Sequence, residues 1–185
     1  MTRIAVVLGS VRPNRIGADV AQWVVSEANT VEGVQAELVD LADFKLPLFA
    51  EPMSPAMAEP KDPEGARFNS TIKGFDGVVF VTPEYNHAIP GALKNATDFL
   101  QPQALAHKGV GIVSYGFASG VRAAENLRLV LANFEAAIVN SQVMLSIPVD
   151  FEDMSIFNPA SHHDGEVSAM VEAIVARSEA LADLR

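Results

Sequence analysis

At 185 residues, with 49% of them apolar and 19% charged, the chain has the size and balance of one globular unit able to bury a sizeable core. A net charge of -10 argues against nucleic acid or an anionic membrane surface as a partner, because both are bound through basic faces; it equally serves plain solubility. With no cysteine, disulfides, thiolate nucleophiles and thiolate metal sites are excluded, and redox chemistry needs a bound cofactor.

Arg3-Ile4-Ala5-Val6-Val7-Leu8 is a continuous apolar run, as expected of a parallel strand covered on both faces. No basic leader precedes it, and no apolar run reaches the ~20 residues needed to cross a bilayer, so the expectation is a cytoplasmic protein. A loop from Gly9 to Gly17 leads into a helix, because Ile16, Val20, Trp23, Val24 and Ala28 repeat at helical spacing until about Asn29. Val34 to Leu41 alternates as a second strand, and Leu46 to Pro63 is an irregular, proline-rich connection, long for a compact domain.

Glu64 to Gly74 reads as a short helix, Gly77 to Val81 as a third strand and Pro90 to Leu100 as its helix. A fourth strand, Lys108 to Ser114, leads through the tight loop Tyr115–Gly120 to a helix from Val121 to Phe134. Ala137 to Leu145 is a fifth strand, with an interruption expected near Asn140-Ser141. A second irregular stretch, Ser146 to His163, precedes a final helix that begins at Asp164-Gly165-Glu166 and ends near Leu184. There is no internal repeat and no low-complexity linker, so the expectation is a single domain over residues 1–185.

Five apolar strands alternating with five helices predict an α/β, three-layer sandwich: a parallel sheet with right-handed crossovers and helices on both faces. A five-stranded chain of this length favours the flavodoxin-like strand order 2-1-3-4-5 over a six-stranded dinucleotide fold. In such sheets ligands lie beyond the carboxyl ends of the strands, where three polar loops fall in this sequence.

The first loop carries Ser10, Arg12 and Arg15 and runs into a helix start at Ile16-Gly17. Arginine forks and unpaired helix N–H groups suit a phosphate. The loop is neither G-x-G-x-x-G nor G-x-x-x-x-G-K-[ST], which favours a phosphate monoester over a pyrophosphate or ATP. The alternative is that Arg12 and Arg15 are solvated and Ser10 is only a cap.

The second loop, Pro83-Glu84-Tyr85-Asn86-His87, runs into Pro90-Gly91-Ala92-Leu93-Lys94-Asn95-Ala96-Thr97-Asp98-Phe99. With Gly9-Ser10-Val11-Arg12-Pro13-Asn14-Arg15 and Ser114-Tyr115-Gly116, it makes most of the chain, through about Leu145, resemble the NADPH-dependent FMN reductase family. That family's flavodoxin-like members include quinone, azo and chromate reductases.

The resemblance implies non-covalent FMN, with its phosphate at Ser10, Arg12, Arg15, Ile16 and Gly17. It implies the isoalloxazine ring at Pro83, Glu84, Tyr85, Asn86 and His87, and the ring's pyrimidine end at Ser114, Tyr115 and Gly116. NAD(P)H is implied as co-substrate and a quinone, flavin or other small molecule as acceptor, in a ping-pong cycle. No side-chain acid or base is required, since hydride transfer belongs to the cofactor.

Two departures stand out: Gly120 is followed by Val121 where the family ends the loop with two glycines, and Phe99 stands where tryptophan is common. A homodimer or homotetramer is expected, with the helices Gly91–Leu100 and Val121–Phe134 as candidate interface. The competing readings are an electron carrier of the flavodoxin kind and a flavin-binding sensor with little turnover.

Outside these loops, Lys94 and Asn95 are expected on a helix surface or an interface. Arg67 and Arg122 are candidates for a 2′-phosphate without a spacing argument. His162-His163 is expected to be an exposed loop pair, with no metal assigned.

Overall fold

The computed structural model describes Met1–Arg185 throughout. β1 (Thr2–Leu8) is followed by α1 (Gly17–Ala28), β2 (Val34–Asp40), α2 (Pro63–Lys73), β3 (Gly77–Pro83) and α3 (Gly91–Asp98). Then come β4 (Gly109–Gly116), α4 (Val121–Ala132) and β5 (Ala137–Ser146). A single turn α5 (Ile147–Asp150) and the two-residue strands β6 (Phe151–Glu152) and β7 (Ile156–Phe157) lead to α6 (Glu166–Ala180).

The five long strands form one parallel sheet, as the alternation predicts, in the order β2-β1-β3-β4-β5 favoured for a five-stranded chain of this length. β1, β3 and β4 are central and nearly continuous in apolar residues because helices cover both of their faces. Ile4, Val6, Val79, Val81 and Val113 meet Val20 and Val24 of α1 and Met170 and Ile174 of α6 on one face. Ala5, Val7, Val78, Phe80 and Ile112 meet Phe68 and Ile72 of α2, Leu93 of α3 and Leu127 of α4 on the other. No helix is long and apolar enough to cross a membrane.

Local chemistry sets several boundaries. Asp62 caps α2, its Oδ1 accepting from the N–H groups of Glu64 (3.0 Å) and Gly65 (2.9 Å), and Pro63 takes the first helical position, where its missing N–H costs nothing. α3 ends at Asp98, two residues before the expected Leu100; Phe99 is its cap and turns into the core against Phe49 at 5.1 Å. The ring at position 99 is therefore a packing element. α4 likewise stops at Ala132, and Phe134 packs against the core beyond it.

β5 is bulged where the interruption is expected: Val110 pairs with Ile138 but Ile112 with Gln142, so Val139 to Ser141 stand against one residue of β4. The stretch 146–163 is more ordered than its sequence suggests. α5, the β6–β7 hairpin and a 3-10 turn at Ser161–His163 occupy it, and Phe157 of the hairpin packs on Trp23 of α1 at 5.5 Å and on Phe151 at 5.2 Å.

Candidate functional site

Three loops leave the carboxyl ends of β1, β3 and β4 side by side, and the turn after β5 closes the fourth side. Together they line a cleft of about 360 Å³, at the small end of the range for ligand sites. A larger cleft, about 480 Å³, lies at the other end of the sheet among Pro102, His107, Glu135 and Arg185. It is remote from the strand ends where parallel sheets place chemistry.

The first loop is held from below and open above. Gly9 N–H donates to the Val81 carbonyl (2.9 Å), and the buried Ser10 hydroxyl is hydrogen bonded to the Tyr85 hydroxyl at 2.8 Å. The Arg12 guanidinium lies 5.7 Å above the Tyr85 ring. Arg15 is largely buried; one terminal nitrogen pairs with Asp40 at the end of β2, while its Nε is shielded from solvent without a hydrogen-bond partner. α1 begins at Gly17 with Ile16 at its N-cap and no side-chain cap. The first-turn N–H groups, which have no acceptor within the helix, are thus left to other partners. Gly17 is required sterically: a Cβ there would stand 2.1 Å from the Tyr115 hydroxyl.

The second loop is a tight turn closed on itself. Tyr85 N–H donates to the Ala88 carbonyl (2.9 Å) and Ala88 N–H to the Tyr85 carbonyl (3.1 Å). The two residues between them, Asn86 and His87, both have positive φ (50° and 67°), as a type I′ turn requires. Asparagine and histidine are among the side chains that tolerate this region. Below the turn, Glu84 accepts from the N–H of Arg122 (3.1 Å) and pairs with the Arg122 guanidinium, which also donates to His87 Nε2 at 3.1 Å. Burial raises the Glu84 carboxyl, but the Arg122 bond and charge together with two backbone donors outweigh it and hold it below its ordinary value.

In the third loop the Ser114 side chain turns away from the cleft: its hydroxyl donates to the Ser119 carbonyl (2.7 Å) and accepts from Gln142 (3.3 Å). Tyr115 points to the α1 face of the sheet. Burial, then the neighbouring Tyr85, pushes its hydroxyl far above the ordinary value, so the phenol remains a neutral donor beside the start of α1. Gly120 adopts φ +66° with no room for a Cβ, which would meet the Tyr115 nitrogen at 2.8 Å. Ser119 is the second left-handed residue of this loop (φ 55°), and Val121 simply opens α4, so the missing second glycine is not needed there.

Of the residues singled out from sequence, Arg12, Arg15, Ile16, Pro83, Glu84, Tyr85, Tyr115 and Gly116 line the cleft together. Ser10 and Gly17 lie directly behind it, Ser114 faces away, and Asn86 and His87 form the exposed tip of the turn. Asp40, Ile147 and Met154 escape the sequence reading: Asp40 fixes Arg15, and the other two come from the stretch read as irregular. A strand-end position flags Asp40 in retrospect; nothing local flags Ile147 or Met154.

Arg122 is occupied with Glu84 and His87. Arg67 stacks on Phe44 at 3.9 Å and pairs with Glu64 at 2.5 Å. Neither is a free cation for a 2′-phosphate. Asn95 is no bare surface residue: it accepts from Phe49 N–H (2.9 Å) and donates to the Pro47 carbonyl (2.8 Å), tying the connection after β2 to α3.

Comparison with known proteins gives a consistent picture. The family model described as NADPH-dependent FMN reductase matches residues 2–150. The chain is 35% identical to an NAD(P)H-dependent FMN reductase of a Nectria species, covering 94% of this chain and 89% of the relative. It is 35% identical to a quinone reductase of Escherichia coli, over 75% of this chain and 73% of the relative. Among solved structures, the flavoenzyme NAD(P)H:(acceptor) oxidoreductase FerB of Paracoccus denitrificans superposes with a TM-score of 0.70 at 21% identity, covering 96% of this chain and 99% of that one. That likeness is one of fold.

Proposed function

From the premise that the chain belongs to the NADPH-dependent FMN reductase family, we propose how its own residues hold the cofactor and serve the reaction. The protein is an NAD(P)H-dependent, FMN-containing oxidoreductase that delivers reducing equivalents to a quinone, a flavin or another small acceptor. FMN bound there would supply the redox chemistry between NAD(P)H and the acceptor.

The residues fit this cofactor on one observation above all. Arg15 Nε is buried and unpartnered at the mouth of an α1 N-terminus that no side chain caps. A buried cationic donor left unpaired costs free energy, and an anion seated there removes that cost. Ser10, Arg12, Arg15, Ile16 and Gly17 therefore hold the phosphate, with Asp40 keeping the Arg15 fork in place. Pro83, Glu84 and Tyr85 form the wall for the ring, stiffened by the turn at Asn86-His87 and by Arg122. Gly116 lets the backbone approach from the third loop, and Tyr115 positions the start of α1 from below. Ser114 supports the third loop through Ser119. No side chain of the cleft is assigned a proton transfer. Orientation and exclusion of water are the protein's share.

Residues 1–185 act as one flavin-binding unit, since both apolar cores flank a single sheet. A homodimer fits this reading: Phe117 (71% exposed), Val121 and Leu129 (76% exposed) leave large apolar side chains at and along α4. The test is an anaerobic absorbance spectrum of the purified protein before and after one equivalent of NADPH. A flavin spectrum that bleaches, with FMN released on denaturation, is the expected result. No flavin and no uptake of added FMN would overturn the assignment, and light scattering of the same sample reads the oligomeric state.

A further inference from the structure

The segment between β5 and α6 closes on a group of side chains that flavin binding leaves without a task. Asp150 ends α5 and is 1% exposed; its Oδ2 accepts from Ser146 N–H (2.7 Å) and its Oδ1 from Ala160 N–H (3.0 Å). His163, expected from sequence to be exposed, is 4% exposed. Its Nδ1 lies 2.7 Å from Glu166 Oε2, while its Nε2 faces Asp150 Oδ1 at 3.3 Å, shielded from solvent and without a hydrogen-bond partner. His162 is exposed, its ring 4.0 Å from that of His163. One ligand atom from each of Asp150, His162 and His163 lies within 4.8 Å of the others.

Nδ1 faces Glu166 Oε2, while the shielded and unpartnered Nε2 faces Asp150 Oδ1; a cation seated between Nε2 and Oδ1 would satisfy both atoms. A tetrahedral ion with bonds of ~2.0–2.1 Å sets its ligand atoms about 3.3 Å apart, the separation found between Nε2 and Oδ1. A carboxylate behind the far nitrogen of a metal-binding histidine is the usual device for fixing its tautomer, and Glu166 stands in that place.

We propose that Asp150, His162 and His163 bind a divalent metal ion of the zinc class, with Glu166 orienting His163. Two imidazoles and one carboxylate select a borderline ion over calcium or magnesium, and three protein ligands leave a fourth position for water. His162, which makes no hydrogen bond, rotates into place. The ion would fasten the start of α6 to the turn after β5, which carries Ile147 of the cleft wall. The inference is independent of the flavin assignment.

Tag-free, full-length protein, stripped with a chelator and moved to metal-free buffer, is titrated with Zn²⁺ by calorimetry and with Co²⁺ by visible absorption. The expected result is one saturable equivalent, with Co²⁺ giving tetrahedral-type bands that Zn²⁺ abolishes. Because His162 is exposed and unbonded, His162→Ala should fold as the parent does by circular dichroism, yet weaken Zn²⁺ binding at least ~10-fold. Asp150→Asn tests the same site from its buried side. Absence of saturable binding below ~0.1 mM would overturn the proposal and mean that a proton fills the gap between His163 and Asp150. Undiminished binding in His162→Ala would overturn it as well, assigning the ion to surface carboxylates.

Discussion

The loop after β1 and the turn after β3 border the same cleft but are built on opposite plans. The first leaves donors open: Arg15 Nε is buried and unpartnered, and α1 starts without a side-chain cap. The second satisfies its own groups, with Tyr85 and Ala88 paired through their backbones and Glu84 bonded to Arg122. In the proposed site, unmet donors are where the phosphate would complete the structure, and met ones build the wall that would receive the ring. Substitutions in the first loop should therefore cost affinity, and those in the second should cost stability.

The largest effect is expected in the first loop. Arg15→Ala removes a charge-assisted donor, which should weaken FMN binding by about 1.5–3 kcal/mol, roughly 10- to 150-fold in Kd by fluorescence titration. Gly17→Ala should act similarly by driving a Cβ against the Tyr115 hydroxyl. Unchanged affinity in both variants would break the contrast.

Next come the groups under the turn. Arg122→Ala leaves the Glu84 carboxylate, largely shielded, without its cation and should destabilise the fold by about 1–2 kcal/mol in denaturant melts, with a smaller change in FMN affinity than Arg15→Ala causes. The folded Glu84 carboxyl titrates below its unfolded value of 4.5, so its contribution is present above that pH and is lost as pH falls through the lower folded value. Glu84→Gln should flatten this acid limb of the stability profile.

An effect confined to alkaline pH is expected at the other end of the sheet, where Lys108 is buried and donates to the carbonyls of Ile72 (3.2 Å) and Lys73 (3.0 Å) at the end of α2. Burial, then the charge of Arg185, lowers its ammonium to about 8 from 10.5. Between those values the unfolded chain binds more protons, so this group's contribution to stability rises as pH climbs from about 8 to 10.5. Lys108→Met should lack that rise; an identical pH profile in the two proteins would refute it. The smallest effect is expected for Asn86→Ala, which places alanine at a φ of 50° and should cost about 1 kcal/mol or less of stability.

Much of this was legible in the residues because it depends on local order. Continuous apolar runs mark β1, β3 and β4, which are covered on both faces, and polar stretches mark the loops at their carboxyl ends. The β5 bulge was legible too, since Asn140-Ser141 interrupts an apolar run. The β6–β7 hairpin was not. Strands of two residues carry no periodicity, and this pair is held by Phe157 on Trp23, a contact between residues 134 positions apart in sequence.

By itself, the sequence determined the α/β class and the three polar loops at the carboxyl ends of the strands, and it favoured the order 2-1-3-4-5 only through the length of the chain, because periodicity and loop chemistry are properties of neighbouring residues. Tertiary structure alone decided which polar groups are met and which are left open. Asp40 reaches Arg15 across 25 positions, Arg122 reaches Glu84 across 38, and His163 is buried against Asp150. Burial and charge pairing arise from segments distant in the chain, and only the folded sheet brings them within reach of one another.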